Sequence, residues 1–431
     1  MDVEEVSTDY SIDELLMQRE KYVGKALSIA HEKPLHIIRG DMQYLYSAEG
    51  KKYLDLVNNV CHVGHSNPRV VEAGQRQMAL LNTNTRYIYQ GLTEYIERLA
   101  RTLPPSLNVG YLVNSGSEAN ELAVRIARSY TGKKNMIVME GAYHGHTTML
   151  IDLSPYKFRG PGGKGKSEPW VHVVPIPDTY RRRGRNYAKE FNTVLDKSGP
   201  IAGFMAETML SCAGQIPLPE GYLSSVFKQV RAAGGLCIID EVQVGFGRLG
   251  THMWAFEEHD VVPDIVVMGK PIGNGHPMAA VFTTLDISAS FEEMEFFSTF
   301  GGNPVSCAIG LSVLDVIEEE KLIKNAEKIG NILIDGLLKL KKKYSLIGDV
   351  RGKGLFLGIE LVKNRDTLEP AIYEAKEIVR EMLKNNFLLS IDGPLKNVIK
   401  IKPPMVITKE DAIKTLDTFD KVLSKIVSKG S

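Results

Sequence analysis

Residues 236–248 read Leu-Cys-Ile-Ile-Asp-Glu-Val-Gln-Val-Gly-Phe-Gly-Arg, an apolar run of four that ends abruptly in Asp240. A short apolar run without polar alternation marks a strand covered on both faces, as in parallel α/β sheets. An acid directly after such a strand stands at the carboxyl edge of the sheet, where open α/β folds bind ligands. Comparable runs occur at Met136–Met139, Gly203–Ala206, Ile265–Met268 and Ala279–Phe282, separated by stretches of helical period. The sequence therefore predicts an α/β protein whose middle, from about residue 108 to 285, is a mostly parallel central sheet flanked by helices.

Outward from this core the pattern changes. After Asn303-Pro304 a long helical period carries Ile309, Val313, Val316 and Ile317, is broken by Glu318 to Glu320, and resumes with Ile323, Ala326, Ile329, Leu333 and Leu337. Strand candidates at Leu355–Val362 and Val398–Lys402, with a helical stretch between them, predict a small α+β domain. Before the core, Ile12, Leu15 and Leu16 fit one face of a helix, and a turn-rich stretch runs to about Gly50. The expected division is a large domain over 56–307 and a small one built from 1–55 and 308–431.

Bulk properties narrow the function. The 431 residues carry 52 Lys+Arg against 52 Asp+Glu, without the basic excess of a nucleic-acid-binding domain. A 43% hydrophobic, 24% charged chain is ordinary globular protein. Cys61, Cys212, Cys237 and Cys307 are scattered without metal-ligand spacing, which fits a reducing compartment and predicts no metal site. The acidic first twenty residues lack a signal-peptide pattern, and no run is long and apolar enough for a membrane helix, so a cytoplasmic protein is expected.

Three motif matches fail on context. Gly160 to Ser167 fits GxxxxGK[ST], but Pro169 follows at once where a phosphate loop needs a helix, so a Gly/Lys loop is expected. His62 with His65, and His144 with His146, lack metal spacing and read as structural or substrate-side histidines. The basic run Arg181 to Arg185 is short and without interleaved aromatics, and reads as a solvated loop.

Four segments point to chemistry. Asn114-Ser115-Gly116-Ser117 joins an apolar piece to a good helix; it is an N-cap, and its exposed N–H groups also suit a phosphate. Asp240 ends one buried strand and Lys270 another, and a partly desolvated lysine amine is a nucleophile. Ser298 and Thr299 precede the paired glycines of Ser-Thr-Phe-Gly-Gly-Asn-Pro. A phosphate cradle, an acid for a pyridinium nitrogen and an amine for a Schiff base are together what pyridoxal 5'-phosphate asks of a protein.

From about Pro34 to Pro404 the sequence resembles the class III aminotransferases, a fold-type I family of pyridoxal-phosphate enzymes. The resemblance implies that Ser115, Gly116 and Ser117 bind the phosphate, Tyr143 stacks on the ring, Asp240 pairs with the ring nitrogen, Val242 packs on the ring face and Gln243 meets the ring hydroxyl. Lys270 matches the Schiff-base lysine that then moves the substrate proton, and Glu207 an acid near the site. Thr299 resembles the residue that reaches the cofactor phosphate of the neighbouring subunit, which implies a homodimer with its sites at the interface. Asn-Asn-Val-Cys-His-Val-Gly-His (58–65) and Val-Ile-Lys-Ile-Lys-Pro-Pro-Met (398–405) are similar to a subgroup that holds alanine–glyoxylate-type aminotransferases and phospho-lyases of phosphoethanolamine and phosphohydroxylysine.

Where typical ω-amino acid aminotransferases pair a glutamate with an arginine, this chain has Cys212 and Lys400. A lysine lacks the bidentate fork that grips a carboxylate. The implied reaction is transfer of an amino group from a small amine or amino acid to a keto acid such as pyruvate or glyoxylate. The alternative is elimination of phosphate from a phosphorylated amine, with Arg86, Lys400 and Lys402 as candidate substrate cations.

Overall fold

The computed structural model describes residues 10–430; the first nine residues of the predicted segment 1–55 and the last of 308–431 lie outside the described residues. Its centre is a seven-stranded sheet in the spatial order Val109–Val113, Ala279–Thr283, Ile265–Met268, Leu236–Asp240, Ile201–Ala206, Asn135–Met139, Val171–Val174. Ala279–Thr283 alone runs antiparallel to both of its neighbours. The mixed, mostly parallel α/β sheet is the one expected from the short apolar runs.

Those runs are apolar throughout because alternate residues enter two different cores. Ile137, Met139, Ile239, Val266 and Met268 pack on one face, and Met136, Val138, Ile238, Ile265 and Val267 on the other. The Gly116–Thr131 helix covers the second face with Ala119, Leu122, Ala123, Ile126 and Ala127. With both faces closed, the carboxyl edge is the open place for polar groups, and it faces the loops after Val113, Met139, Ala206, Asp240 and Met268.

The stretch before Gly50 is more regular than its turn-rich sequence indicates. Ile37–Asp41, Tyr44–Ser47 and Lys52–Asp55 form an antiparallel meander, closed by the parallel strand Phe387–Leu388. Short strands with a half-exposed face carry too few apolar residues to stand out. Toward the C-terminus a second four-stranded sheet runs in the order Ile347–Lys353, Phe356–Leu361, Val398–Ile401, Ser390–Asp392. The long helical period is two helices, Pro304–Glu319 and Leu322–Lys343, broken where Lys321 turns left-handed at φ +54°. No helix of the described residues is long and apolar enough to cross a membrane.

Candidate active site

The carboxyl edge of the central sheet opens into a pocket of about 130 Å³ lined by Ser115, Gly116, Ser117, Asn120, Tyr143, His144, Gly145, Glu207, Asp240, Val242, Gln243 and Lys270. Residues spread over more than 150 positions converge there because each follows a strand of the same sheet or starts the helix behind it.

Ser115 caps the Gly116–Thr131 helix, its hydroxyl accepting from Glu118 N at 3.1 Å. The first N–H groups of the helix have no intrahelical acceptor and point their positive dipole end at the pocket rim. A Cβ on Gly116 would stand 3.2 Å from the Val242 methyls, and one on Gly269 3.1 Å from them. Val242 is thus wedged between the cradle turn and the Lys270 turn. Gly145, at φ +145°, leaves room that a Cβ would take from Leu150 and from the Ser117 hydroxyl, at 2.6 and 2.7 Å.

Asp240 is buried at the end of its strand. Its Oδ1 accepts from Val242 N at 3.0 Å, and its Oδ2 meets Asn120 Nδ2 at 2.8 Å and His144 Nδ1 at 2.9 Å. Glu207 Oε2 accepts from Ser211 N at 3.0 Å and from the Ser211 hydroxyl at 2.5 Å. Burial raises the Glu207 carboxyl above its ordinary range, His144 offsets part of that, and Asp240 adds to it. Gln243 Oε1 takes Asn59 Nδ2 at 2.7 Å and Lys402 Nζ at 3.4 Å, which leaves its amide N–H groups as the free end. Tyr143, half-buried, meets Tyr156 edge-on at 6.2 Å.

These groups fit pyridoxal phosphate on the structure's own terms. Glu207 Oε1, His144 Nε2 and Asn120 Oδ1 are buried at the pocket without a partner, and a buried polar atom left unpaired is costly unless a ligand satisfies it. Helix-start donors suit the phosphate, and the Asp240 carboxylate suits a protonated ring nitrogen.

The other sequence candidates lie outside the pocket lining, Lys402 adjoining it through Gln243. Lys400 Nζ pairs with Asp392 Oδ1 at 3.1 Å, and Lys402 Nζ lies 3.9 Å from Asp392 Oδ2, so one carboxylate already faces both cations. Burial first, then Lys400, pulls the Lys402 ammonium down to about 8, while burial pushes the nearby Cys212 thiol up to about 11. Arg86 is exposed, stacked on Phe297 and paired with Glu295 at 3.1 Å. Thr299 is exposed and outside the pocket lining.

Sequence reasoning missed Asn120 and Gly145 as pocket residues, and read His144 only as a structural or substrate-side histidine. Asn120 carried a signal: an amide side chain among the mostly apolar residues on the buried face of its helix. Of the paired histidines, His62 bonds Phe246 O and Arg248, and His65 bonds Asp55. His144 and His146 instead back two pocket residues, Asp240 and Ser117. No group of three or more metal-ligating side chains stands together among the described residues. The Gly160–Ser167 stretch is a loop leading into the Val171–Val174 strand. The basic run differs from the expected solvated loop: Arg181 pairs with buried Glu360, distant in sequence, and Arg182 with Glu190 at 2.9 Å, on the helix that follows the run.

A helix-start cradle, an acid ending one strand and a lysine after the next define a fold-type I pyridoxal-phosphate enzyme. The aminotransferase class-III family model matches residues 28–423. An alanine–glyoxylate aminotransferase 2-like protein of Drosophila melanogaster is 44% identical over 98% of this chain and 89% of its own length. The ethanolamine-phosphate phospho-lyase homolog 1 of Caenorhabditis elegans is 41% identical over 96% of this chain and 94% of its own. A solved phospholyase from Arthrobacter in complex with phosphoethanolamine matches at a TM-score of 0.90 and 37% identity, over 95% of this chain and 99% of that one. The chain belongs to the class-III aminotransferase family and is a pyridoxal-phosphate-dependent enzyme.

Proposed function

We propose that the protein moves an amino group from a small amine or amino acid to a keto acid such as pyruvate or glyoxylate. The observation that carries this reading is the convergence of Lys270, Asp240 and the Ser115–Ser117 cradle on one pocket. Pyridoxal phosphate bound there supplies a carbonyl that condenses with an amine and a ring that accepts the electron pair of a broken substrate bond. The N–H groups of Gly116 and Ser117 would hold its phosphate, Asp240 would keep a proton on the ring nitrogen, and the free Gln243 amide would serve the ring hydroxyl. Tyr143 and Val242 would enclose the ring. Burial first, and then the Asp240 charge, hold the Glu207 carboxyl above its ordinary range, against the opposing pull of His144 and Ser211. Lys270 Nζ would hold the cofactor covalently and, when free, would take and return the proton at the substrate carbon.

Elimination of phosphate from a phosphorylated amine is the second reading, favoured by Lys402 beside Gln243, with Lys400 on the same Asp392 carboxylate, and by two of the relatives above. The two reactions separate in one assay. Alanine formed from pyruvate in step with amine consumption is the expected result; phosphate released from phosphoethanolamine without any keto acid supports elimination, and the absence of both products refutes both readings. If a phosphorylated substrate is used, its anion meets Lys402, which is charged below about pH 8 and neutral above it. Its KM should then rise as pH passes through that value. Lys402→Met should raise the KM about tenfold or more at neutral pH and remove the alkaline rise; a KM insensitive to both would exclude Lys402 from substrate binding.

The assembly belongs to the same proposal. Met78, Leu80, Ile88 and Phe300 are exposed on the stretches that carry Arg86 and Thr299, as expected of a face covered by a second copy. In that homodimer Thr299 reaches the phosphate held by the partner, and a single-chain mass at sedimentation equilibrium would refute it. The large domain over 56–307 and the small one from 1–55 and 308–431 are the proposed division, to be tested by limited proteolysis near those boundaries. The free thiols fit a reducing compartment, and we place the protein in the cytoplasm, a placement that recovery in an organelle fraction would overturn.

A further inference from the structure

Lys270 has a backbone φ of +35°, the left-handed region that a residue with a side chain avoids. Such a conformation persists only where its surroundings hold it. The short turn Lys270–Gly273 is capped by Asn274, itself left-handed at φ +46°. The Asn274 side chain crosses to a distant loop: Oδ1 accepts from Val63 N at 2.9 Å, and Nδ2 donates to Gly64 O at 2.9 Å. A carboxamide bonded at both ends to backbone fixes position and angle together.

The receiving loop is held independently. Asp55 Oδ1 accepts from Val57 N and Asn58 N at 2.9 and 3.0 Å. His62 is buried between Phe246 O and Arg248 Nη2, at 2.7 and 2.9 Å. The same loop supplies Asn59, whose Nδ2 donates to Gln243 Oε1 at 2.7 Å and so turns the Gln243 amide N–H groups the other way. One loop therefore touches both the turn that bears Lys270 and the side chain of Gln243.

We propose that Asn274 is a positioning residue for Lys270: it locks the lysine-bearing turn to the 57–65 loop, so that the lysine amine and the Gln243 amide keep one fixed relation across the pocket. This rests on the reading of Lys270 as the amine that attaches the cofactor. Removing the lock leaves the rest of the pocket in place and lets the turn that bears Lys270 shift, which degrades the proton transfer more than substrate binding.

Asn274→Gly tests it, because glycine keeps the left-handed backbone without strain and removes only the two side-chain bonds. In the holoenzyme, kcat should fall roughly 10- to 100-fold with the amine KM within about twofold. The pH titration of the bound cofactor's visible absorbance should move from the parent value. Asn274→Asp, which keeps an acceptor for Val63 N, should fall between parent and glycine variant. In cofactor-free protein, amide exchange should quicken across residues 269–276 and at Val63, whose N–H loses its acceptor, and nowhere else. Parent-like kcat, titration and exchange would overturn the proposal, as would a loss of kcat that merely follows a general fall in melting temperature with exchange raised throughout. If borohydride leaves no cofactor on Lys270 of the parent holoenzyme, the reading of the lysine fails, and the exchange measurement still decides whether Asn274 holds the turn.

Discussion

Lys270→Ala should give a folded protein that binds pyridoxal phosphate without attaching it and turns over roughly 10⁴-fold more slowly, or worse. The loss combines two roles of one amine. Without Nζ the cofactor would have no covalent anchor and would meet an incoming amine as a free aldehyde, a weaker electrophile than the lysine-bound form. Without Nζ there is also no base at the substrate carbon, and a positioned general base alone is worth about 10² to 10⁴ in rate. The fold should survive, since the turn is held by Asn274 and by Pro271, not by the lysine side chain, which stands half-exposed at the pocket. Three readouts check it: no reduced cofactor on residue 270 after borohydride, a melting temperature near the parent value, and partial rescue of turnover by a small primary amine. Retention of more than a few per cent of parent kcat would remove Lys270 from the chemistry.

The parts legible in the sequence are those set by local pattern. Leu236–Asp240, Ile265–Met268 and Ala279–Thr283 are buried on both faces, and burial on both faces writes an unbroken apolar run that ends where the polar edge begins. Asp240 and Lys270 were visible for the same reason, each being the first charged residue after such a run. What escaped depends on distance. His144 and Asn120 matter through bonds to Asp240 that span 96 and 120 positions, and no period or spacing encodes such a meeting. Lys400 and Lys402 were visible as cations but not as neighbours of Asp392, which lies on the adjacent antiparallel strand. The run at Arg181 looked solvated because Glu360, its partner, lies 179 positions away. Thr299 and Arg86 occupy the surface of a single chain, so a role in a partner's site is a matter of assembly.

Asp240→Asn should lower kcat about 10- to 1000-fold, with a smaller change in substrate KM. Asparagine keeps the shape and removes the charge. An opposite charge in contact shifts the pKa of its partner by about one to three units in favour of the charged form. Each unit lost leaves about tenfold less protonated ring at a pH above its new value, and an unprotonated ring is the weaker acceptor of electrons from the substrate. The sign follows directly: the penalty should be smallest at low pH, where the ring nitrogen is protonated without help, and should grow as pH rises. A second, smaller cost is geometric. Val242 N, Asn120 Nδ2 and His144 Nδ1 all converge on the Asp240 carboxylate, and an asparagine NH₂ set among them offers a donor where an acceptor is needed. Asn120→Ala separates the two causes, since it frees one carboxylate lone pair without touching the charge, and its kcat should fall less than tenfold with no new pH dependence. A cofactor analogue methylated at the ring nitrogen, positive at every pH, should restore Asp240→Asn most at high pH. Equal restoration at all pH values, or none, would mean that Asp240 acts by holding the ring in place and not by charge.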